Sequence, residues 1–317
     1  MDNLRFFAVD PVEDYEWPDF CELFRKNVDR VMTQRCATLP GRSVPAIALG
    51  AWLLAVCPCA VFAQGAISSA IAACNVQDGA QSAARIRGCT TLIESNEMTG
   101  HGLAVAFTNR GNAYMAGGQY ELAIGDYTEA IKLDPSFAKP FNNRGAAYRT
   151  TGKLDLAMAD LNAAIRLGDQ SIDPYVSRAL IYESRADYVP AIADIDHAIG
   201  IEPTSGVLWN ERCWIDARRG ALQDALSDCN AAFKLGPPTA AKFDSRGFLY
   251  LKLGRWELAA DDYQSALEIS PKLASALYGR GLARRRLGDV PTAEKDLAAA
   301  TSIQPDIANE FAGVGAP

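Results

Sequence analysis

The chain has 317 residues, with 31 Lys and Arg against 38 Asp and Glu, a formal net charge of −7 and a pI near 5.0. That balance excludes a general nucleic-acid binder, which needs a basic stripe to displace counterions. The length is ample for a large core, and no low-complexity segment is present.

Residues 1–31 carry eight acids and four bases and no repeat signal. Met32 follows, then a stretch whose only charges are Arg35 and Arg42, then an uncharged apolar run from Val44 to Ala63. Val61-Phe62-Ala63 before Gln64 has the small-residue pattern of a secretory cleavage site, and Pro45 and Pro58 trim the helical core to Ala46–Cys57, the length of a signal h-region. We read 32–63 as a signal peptide. The alternative is a retained membrane anchor, since about 20 apolar residues are long enough to span. An acidic leader is wrong for a signal peptide, whereas Met32 gives a basic one at once. Residues 1–31 are therefore read as a non-native upstream extension, the alternative being a disordered cytoplasmic segment.

Four of the eight cysteines precede the expected cleavage, which leaves Cys74, Cys89, Cys213 and Cys229. An even number in an exported chain reads as disulfides. The spacings pair Cys74 with Cys89 and Cys213 with Cys229. No C-x-x-C remains in the mature part, and no histidine accompanies these cysteines, so neither a redox site nor a metal is expected.

Residues 64–103 read as a degenerate N-terminal capping repeat, with helices at Ala66–Cys74 and Ser82–Ser95 around Asp78-Gly79. A loop over Asn96–Gly102 precedes the regular array. From 104 to 307 a period of 34 residues runs without slipping. Gly111, Gly145, Ala179, Cys213, Gly247 and Gly281 mark one small position. Ala123, Ala157, Ala191, Ala225, Ala259 and Ala293 mark a second. Ala130, Ala164, Ala198, Ala232, Ala266 and Ala300 mark a third. Each copy predicts two helices, the first ending near Gly117-Gly118 and the second at Asp134-Pro135. One helix pair cannot bury its apolar face alone, so six copies at this period predict an all-α solenoid. Tyr114, Tyr148, Tyr182 and Tyr250 are expected to fill volume between helices. Asp216 and Arg284 depart from that aromatic position, and Cys213 and Cys229 occupy the small position and a facing aromatic position of repeat four.

Small Gly111, Tyr114, Gly118, Ala123, Tyr127, Ala130 and Pro135, with their counterparts, resemble the tetratricopeptide repeat family over about two-thirds of the chain. The resemblance implies a right-handed superhelix whose first helices line a concave groove, and a role in protein binding. The N-terminal cysteine pair also resembles exported bacterial members of the family. Beyond the consensus, Arg110, Arg144, Arg178, Arg212, Arg246 and Arg280 are each followed sixteen residues on by Asp126, Asp160, Asp194, Asp228, Asp262 and Asp296. We read these as structural ion pairs between the two helices of a repeat. After Pro305 a short tail, 308–317, leaves room for one turn, with no polar capping helix to follow.

No catalytic constellation appears. His101 falls in the expected loop and His197 on an exposed helix position, without partners at nucleophile or metal spacing. The sequence reads as non-enzymatic and needs no cofactor. Carried over by position, the groove presents Thr108, Asn109, Asn112, Asn142, Asn143 and Arg149 at its N-terminal end. Asn210, Trp214, Arg218, Phe248, Lys252, Tyr278, Leu282, Arg285 and Arg286 follow. The amides suit an extended peptide backbone, and Trp214, Phe248 and Tyr278 are candidate anchors. The basic and amide clamp by which some family adaptors hold a chaperone C-terminus is not reproduced. Asn142, Val176, Asn210 and Asp244 stand at its positions, then Ala146, Leu180, Trp214 and Phe248. The expectation is an exported periplasmic or secreted scaffold for a protein or peptide partner, with no nucleic acid, and a membrane only if 44–63 is retained.

Overall fold

A computed structural model describes residues 67–76 and 82–314. The expected leader, the apolar run and the Asp78-Gly79 turn lie outside the described residues. The chain divides into two units, Met1–Ser95 and Asn96–Pro317.

In the first unit a helix at 67–74 (α1) pairs with α2 (Ser82–Glu94). The two touch closely because Gly88 carries no side chain: a Cβ there would stand 2.8 Å from the backbone oxygen of Ala70 and the nitrogen of Cys74. Next to this contact the sulfurs of Cys74 and Cys89 lie at bonding distance, with their Cα atoms 4.6 Å apart.

The second unit is six helix pairs. They are α3 (Gly100–Ala116) with α4 (Tyr120–Leu133), α5 (Ala138–Thr150) with α6 (Leu154–Arg166), and α7 (Asp173–Ser184) with α8 (Tyr188–Ile201). Then come α9 (Gly206–Arg219) with α10 (Leu222–Lys234), α11 (Ala240–Lys252) with α12 (Trp256–Ile269), and α13 (Ala274–Arg286) with α14 (Val290–Ile303). Each pair packs on the next, and no strand occurs among the described residues. The architecture is an all-α repeat solenoid. One boundary differs from expectation. Extended Thr99 starts α3 at Gly100, so His101 is helical and its Nδ1 lies 2.6 Å from Asp134 Oδ2 in the turn after α4.

The three small positions have distinct tasks. The first faces a bulky residue sixteen places later. A Cβ on Gly111 would meet the Tyr127 ring at 2.6 Å, and one on Gly247 would meet Tyr263 at 3.0 Å. Gly145 faces Leu161 and Gly281 faces Leu297 in the same way. In repeat four Cys213 and Cys229 occupy these facing places, with their sulfurs at bonding distance and Cα atoms 5.2 Å apart. The two alanine positions are fully buried in all six copies, which lets helix backbones approach. The turn between paired helices needs a left-handed residue. Gly118, Gly152, Gly220, Gly254 and Gly288 supply it, and Ala186 takes it in repeat three with φ 57°.

The arginine–aspartate ladder is present in every repeat. Nε and Nη2 of each arginine donate to the two oxygens of its aspartate at 2.6–2.9 Å. In four of the repeats Nη1 reaches back to the preceding repeat. It donates to Thr128 from Arg144, to Asn162 from Arg178, to Asp196 from Arg212 and to Gln264 from Arg280. One side chain thus ties three helices. Aromatics flank it: Phe141 and Tyr148 lie beside Arg144, and Phe243 and Tyr250 beside Arg246. The recurrent tyrosine is therefore a wall of the guanidinium slot as well as a filler. In repeat six Arg284 instead adds a second cation on Asp296 at 2.8 Å. In repeat four the buried Asp216 accepts from Arg219 Nε at 2.6 Å. Burial pushes the Asp216 carboxyl up despite that partner.

Beyond Pro305 the chain turns back. Ile307–Phe311 forms a 3-10 helix whose Ile307 and Phe311, with Val314 beyond, are buried against repeats four to six. The sequence left room for one turn here, and that turn completes a core.

Candidate binding face

The first helices of successive repeats lie side by side, α3 on α5, α5 on α7, α9 on α11 and α11 on α13. Helical spacing of three to four residues puts one stripe of each on a shared face: Thr108, Asn112 and Met115 on α3, then Asn142, Ala146 and Arg149 on α5. The stripe continues through Val176, Leu180 and Glu183 on α7, and Asn210, Trp214 and Arg218 on α9. It ends with Asp244, Phe248 and Lys252 on α11, and Tyr278, Leu282 and Arg285 on α13.

The face has three parts. At the N-terminal end the amides join. Asn112 Oδ1 accepts from Asn143 Nδ2 and from the Tyr127 hydroxyl, both at 2.8 Å. Asn109 is half-buried beside this group in α3. Asn142 is buried on α5, and its Oδ1 has no hydrogen-bond partner among the described residues. Seven residues on, Arg149 Nε is likewise buried without one. Burial pulls the Arg149 pKa down from the ordinary arginine value, and no carboxylate offsets it.

In the middle, Glu183 is the hub. Its Oε1 accepts from Arg218 Nη1 at 2.6 Å and from Trp214 Nε1 at 3.2 Å. Lys252 Nζ donates to the Arg218 carbonyl at 3.2 Å, and burial, with Arg218 nearby, lowers its pKa. Asn210 is buried, with Oδ1 unpartnered among the described residues. Sequence reasoning missed Glu183. Its counterparts Met115, Arg149, Ala217, Leu251 and Arg285 include no other acid, so periodicity gave no signal.

At the C-terminal end the aromatics are covered. The Phe311 ring stands 5.6 Å from Phe248 and 5.0 Å from Tyr278, and Phe248 lies 4.8 Å from Trp214. Phe248 is 3% exposed and Trp214 9%. Both were candidate anchors; the tail, returning from α14, stacks Phe311 on Phe248, and Trp214 packs against Phe248 and Glu183. Tyr278 stays half-buried. Arg285 stands apart, exposed and paired with Glu294 at 2.6 Å. The tail's own spacing, Ile307, Phe311 and Val314, was the overlooked signal, a one-sided apolar pattern after the last helix stop.

No group of His, Cys, Asp and Glu among the described residues is arranged for a metal. His197 stacks on Tyr175 at 4.0 Å between ring centroids. No helix among the described residues is long and apolar enough to cross a membrane.

Tetratricopeptide repeat models match residues 111–152, 247–288 and 138–167. No curated protein matches. Among solved structures, a tetratricopeptide repeat protein from Parabacteroides merdae is similar with a TM-score of 0.62 at 18% identity, covering 77% of this chain and 97% of that one. The Cut9 assembly with Hcn1 gives 0.61 at 17%, covering 73% of this chain. This chain spans about half (48%) of that one's length. PilW, a type IV pilus biogenesis factor, gives 0.58 at 18%, covering 64% and 94%. At these identities the likeness shows the fold. Together with the matched repeats and the six helix pairs, it shows a tetratricopeptide repeat solenoid, a fold that supports protein–protein interaction.

Proposed function

We propose that the chain is an exported, non-enzymatic scaffold that holds a peptide or protein segment in the concave groove of its first helices, at the N-terminal end. The observation that carries this is that two buried polar atoms there, Asn142 Oδ1 and Arg149 Nε, close to an amide network, have no hydrogen-bond partner among the described residues. Buried polar groups are nearly always satisfied, and each orphan carries a desolvation cost that an incoming backbone N–H or carbonyl removes. An amide and a guanidinium on one stripe offer an acceptor and donors to an extended strand of backbone. The aromatic end is already filled by the chain itself, which leaves the polar end as the receptor.

Export is supported by two cysteine pairs at bonding distance, which persist in oxidising compartments, and by the leader-like run at 44–63. That run is also long enough to remain as an anchor, so the same scaffold held at a membrane is the second reading. Membrane fractionation separates the two. For the groove itself, a photo-crosslinking residue is placed at Asn112 or at exposed Lys295 on α14. The reading expects a partner adduct from position 112 and none from 295. Adducts of equal yield at both positions would remove the groove from the account.

A further inference from the structure

The aromatic half of the first-helix face carries a second surface, and the tail shows what fits it. Three side chains, Ile307, Phe311 and Val314, are buried, while Ala308, Asn309, Ala312 and Gly313 between them, and Asp306 before them, are exposed. The contact is one-sided and spaced four and three residues apart, the pattern of an amphipathic segment laid in a groove. Phe311 enters between Phe248 and Tyr278 on neighbouring repeats, and Val314 reaches a cleft shared with Leu251, Lys252 and Trp256. Only Gln304, Pro305 and Asp306 separate the end of α14 from Ile307. Gln304 Nε2 donates to Glu310 Oε1 at 2.9 Å across the turn.

We propose that residues 307–314 are an internal ligand of the surface formed by α9, α11 and α13. We propose further that this surface accepts, in exchange, a partner segment with an aromatic flanked by aliphatics at the same spacing and with acidic residues on its outer side. The acidic preference follows from Asp306 and Glu310, which the tail itself carries beside its buried side chains. Two features make exchange reasonable. The segment is one short turn, and such elements open at far lower free energy than the array they pack on. It is also tethered by three residues, so a modest intrinsic affinity is enough to keep it seated, because a short link gives an effective concentration in the millimolar range. A competing ligand sees its affinity reduced by the fraction of open surface. The inference extends the groove reading and depends on it only in naming this face as a binding surface.

The test uses the full chain and a fluorescent synthetic peptide of residues 305–317. Wild type is expected to bind the peptide weakly, because its own tail holds the site. Phe311→Ala in the full chain, which loosens the tail, is expected to bind at least tenfold more tightly. Adding Phe248→Ala to that variant is expected to abolish the gain. Ile307→Ser is the second loosening variant, and helical circular dichroism checks that each variant is folded. If both loosened and folded variants bind the peptide no better than wild type, the proposal is overturned, whatever the adduct at position 112 shows. If the peptide binds the loosened variants and no adduct forms at 112, the internal ligand stands and the polar-groove reading fails.

Discussion

At the scale of single residues, the repeat is held by a side chain that does more than its spacing implied. Arg178 donates to both oxygens of Asp194 and to Asn162 of the preceding repeat. Both partners are largely buried. Breaking such a pair from one side leaves an uncompensated charge, at roughly 3–5 kcal/mol. Arg178→Ala is expected to cost more than Arg178→Ala with Asp194→Ala together, read from denaturant midpoints. A double variant that simply adds the two losses would rule the coupling out. Asp216 is the converse case. Its folded pKa is raised above 3.8 by burial, so the stability tied to its proton is present below pH 3.8 and lost as pH rises through the folded pKa. Asp216→Asn imitates the protonated form. The variant is expected to exceed wild type in stability at about pH 7 and to lose that advantage at about pH 3. A variant weaker than wild type at about pH 7 would mean that the Arg219 pairing outweighs the burial.

At the scale of elements, the turns show where the sequence was legible and where it was not. Five of six helix-to-helix turns carry the glycine that a left-handed residue calls for, so their ends could be placed in advance. Ala186 hides the sixth turn from composition, and the backbone keeps φ 57° there because both flanking helices are fixed by packing. An alanine in that region costs roughly 1–2 kcal/mol, part of which is offset by the lower entropy loss of alanine. Ala186→Gly is expected to stabilise by about 0.5–1 kcal/mol. A loss of stability would show that the turn is held by something other than backbone preference. Repeat four reads similarly. Cys213 and Cys229 stand where other repeats place a glycine against a large side chain, so position alone indicated that they meet. Each pair closes a loop of 15 or 16 residues, worth roughly 3 kcal/mol in the chain-entropy model. Mass spectrometry of the non-reduced protein is expected to find Cys74 bonded to Cys89 and Cys213 to Cys229. Four free thiols, or Cys74 joined to Cys213, would overturn the pairing and weaken the case for export.

At the scale of the whole molecule, the two described units differ in what periodicity could reveal. In Asn96–Pro317 the 34-residue phase fixed the six helix pairs, because each repeat buries the same positions against its neighbours. It could not separate the open from the covered part of the face. Asn142 and Phe248 belong to one stripe, and what distinguishes them is a segment outside the repeat. The core follows that division: the buried cluster running from Ala179 to Val314 includes the tail, whereas smaller clusters form around Tyr127 and Leu161. Function is therefore expected on the part of the face that the tail leaves uncovered, where Asn112, Asn142 and Arg149 lie. The most direct measurement is a calorimetric titration of the partner recovered through the crosslink at position 112, against wild type, Arg149→Ala and Lys295→Ala. The account predicts that Arg149→Ala weakens binding at least tenfold, about 1.4 kcal/mol, while Lys295→Ala stays within about twofold. Unchanged affinity for Arg149→Ala, or equal losses in the two variants, would contradict it.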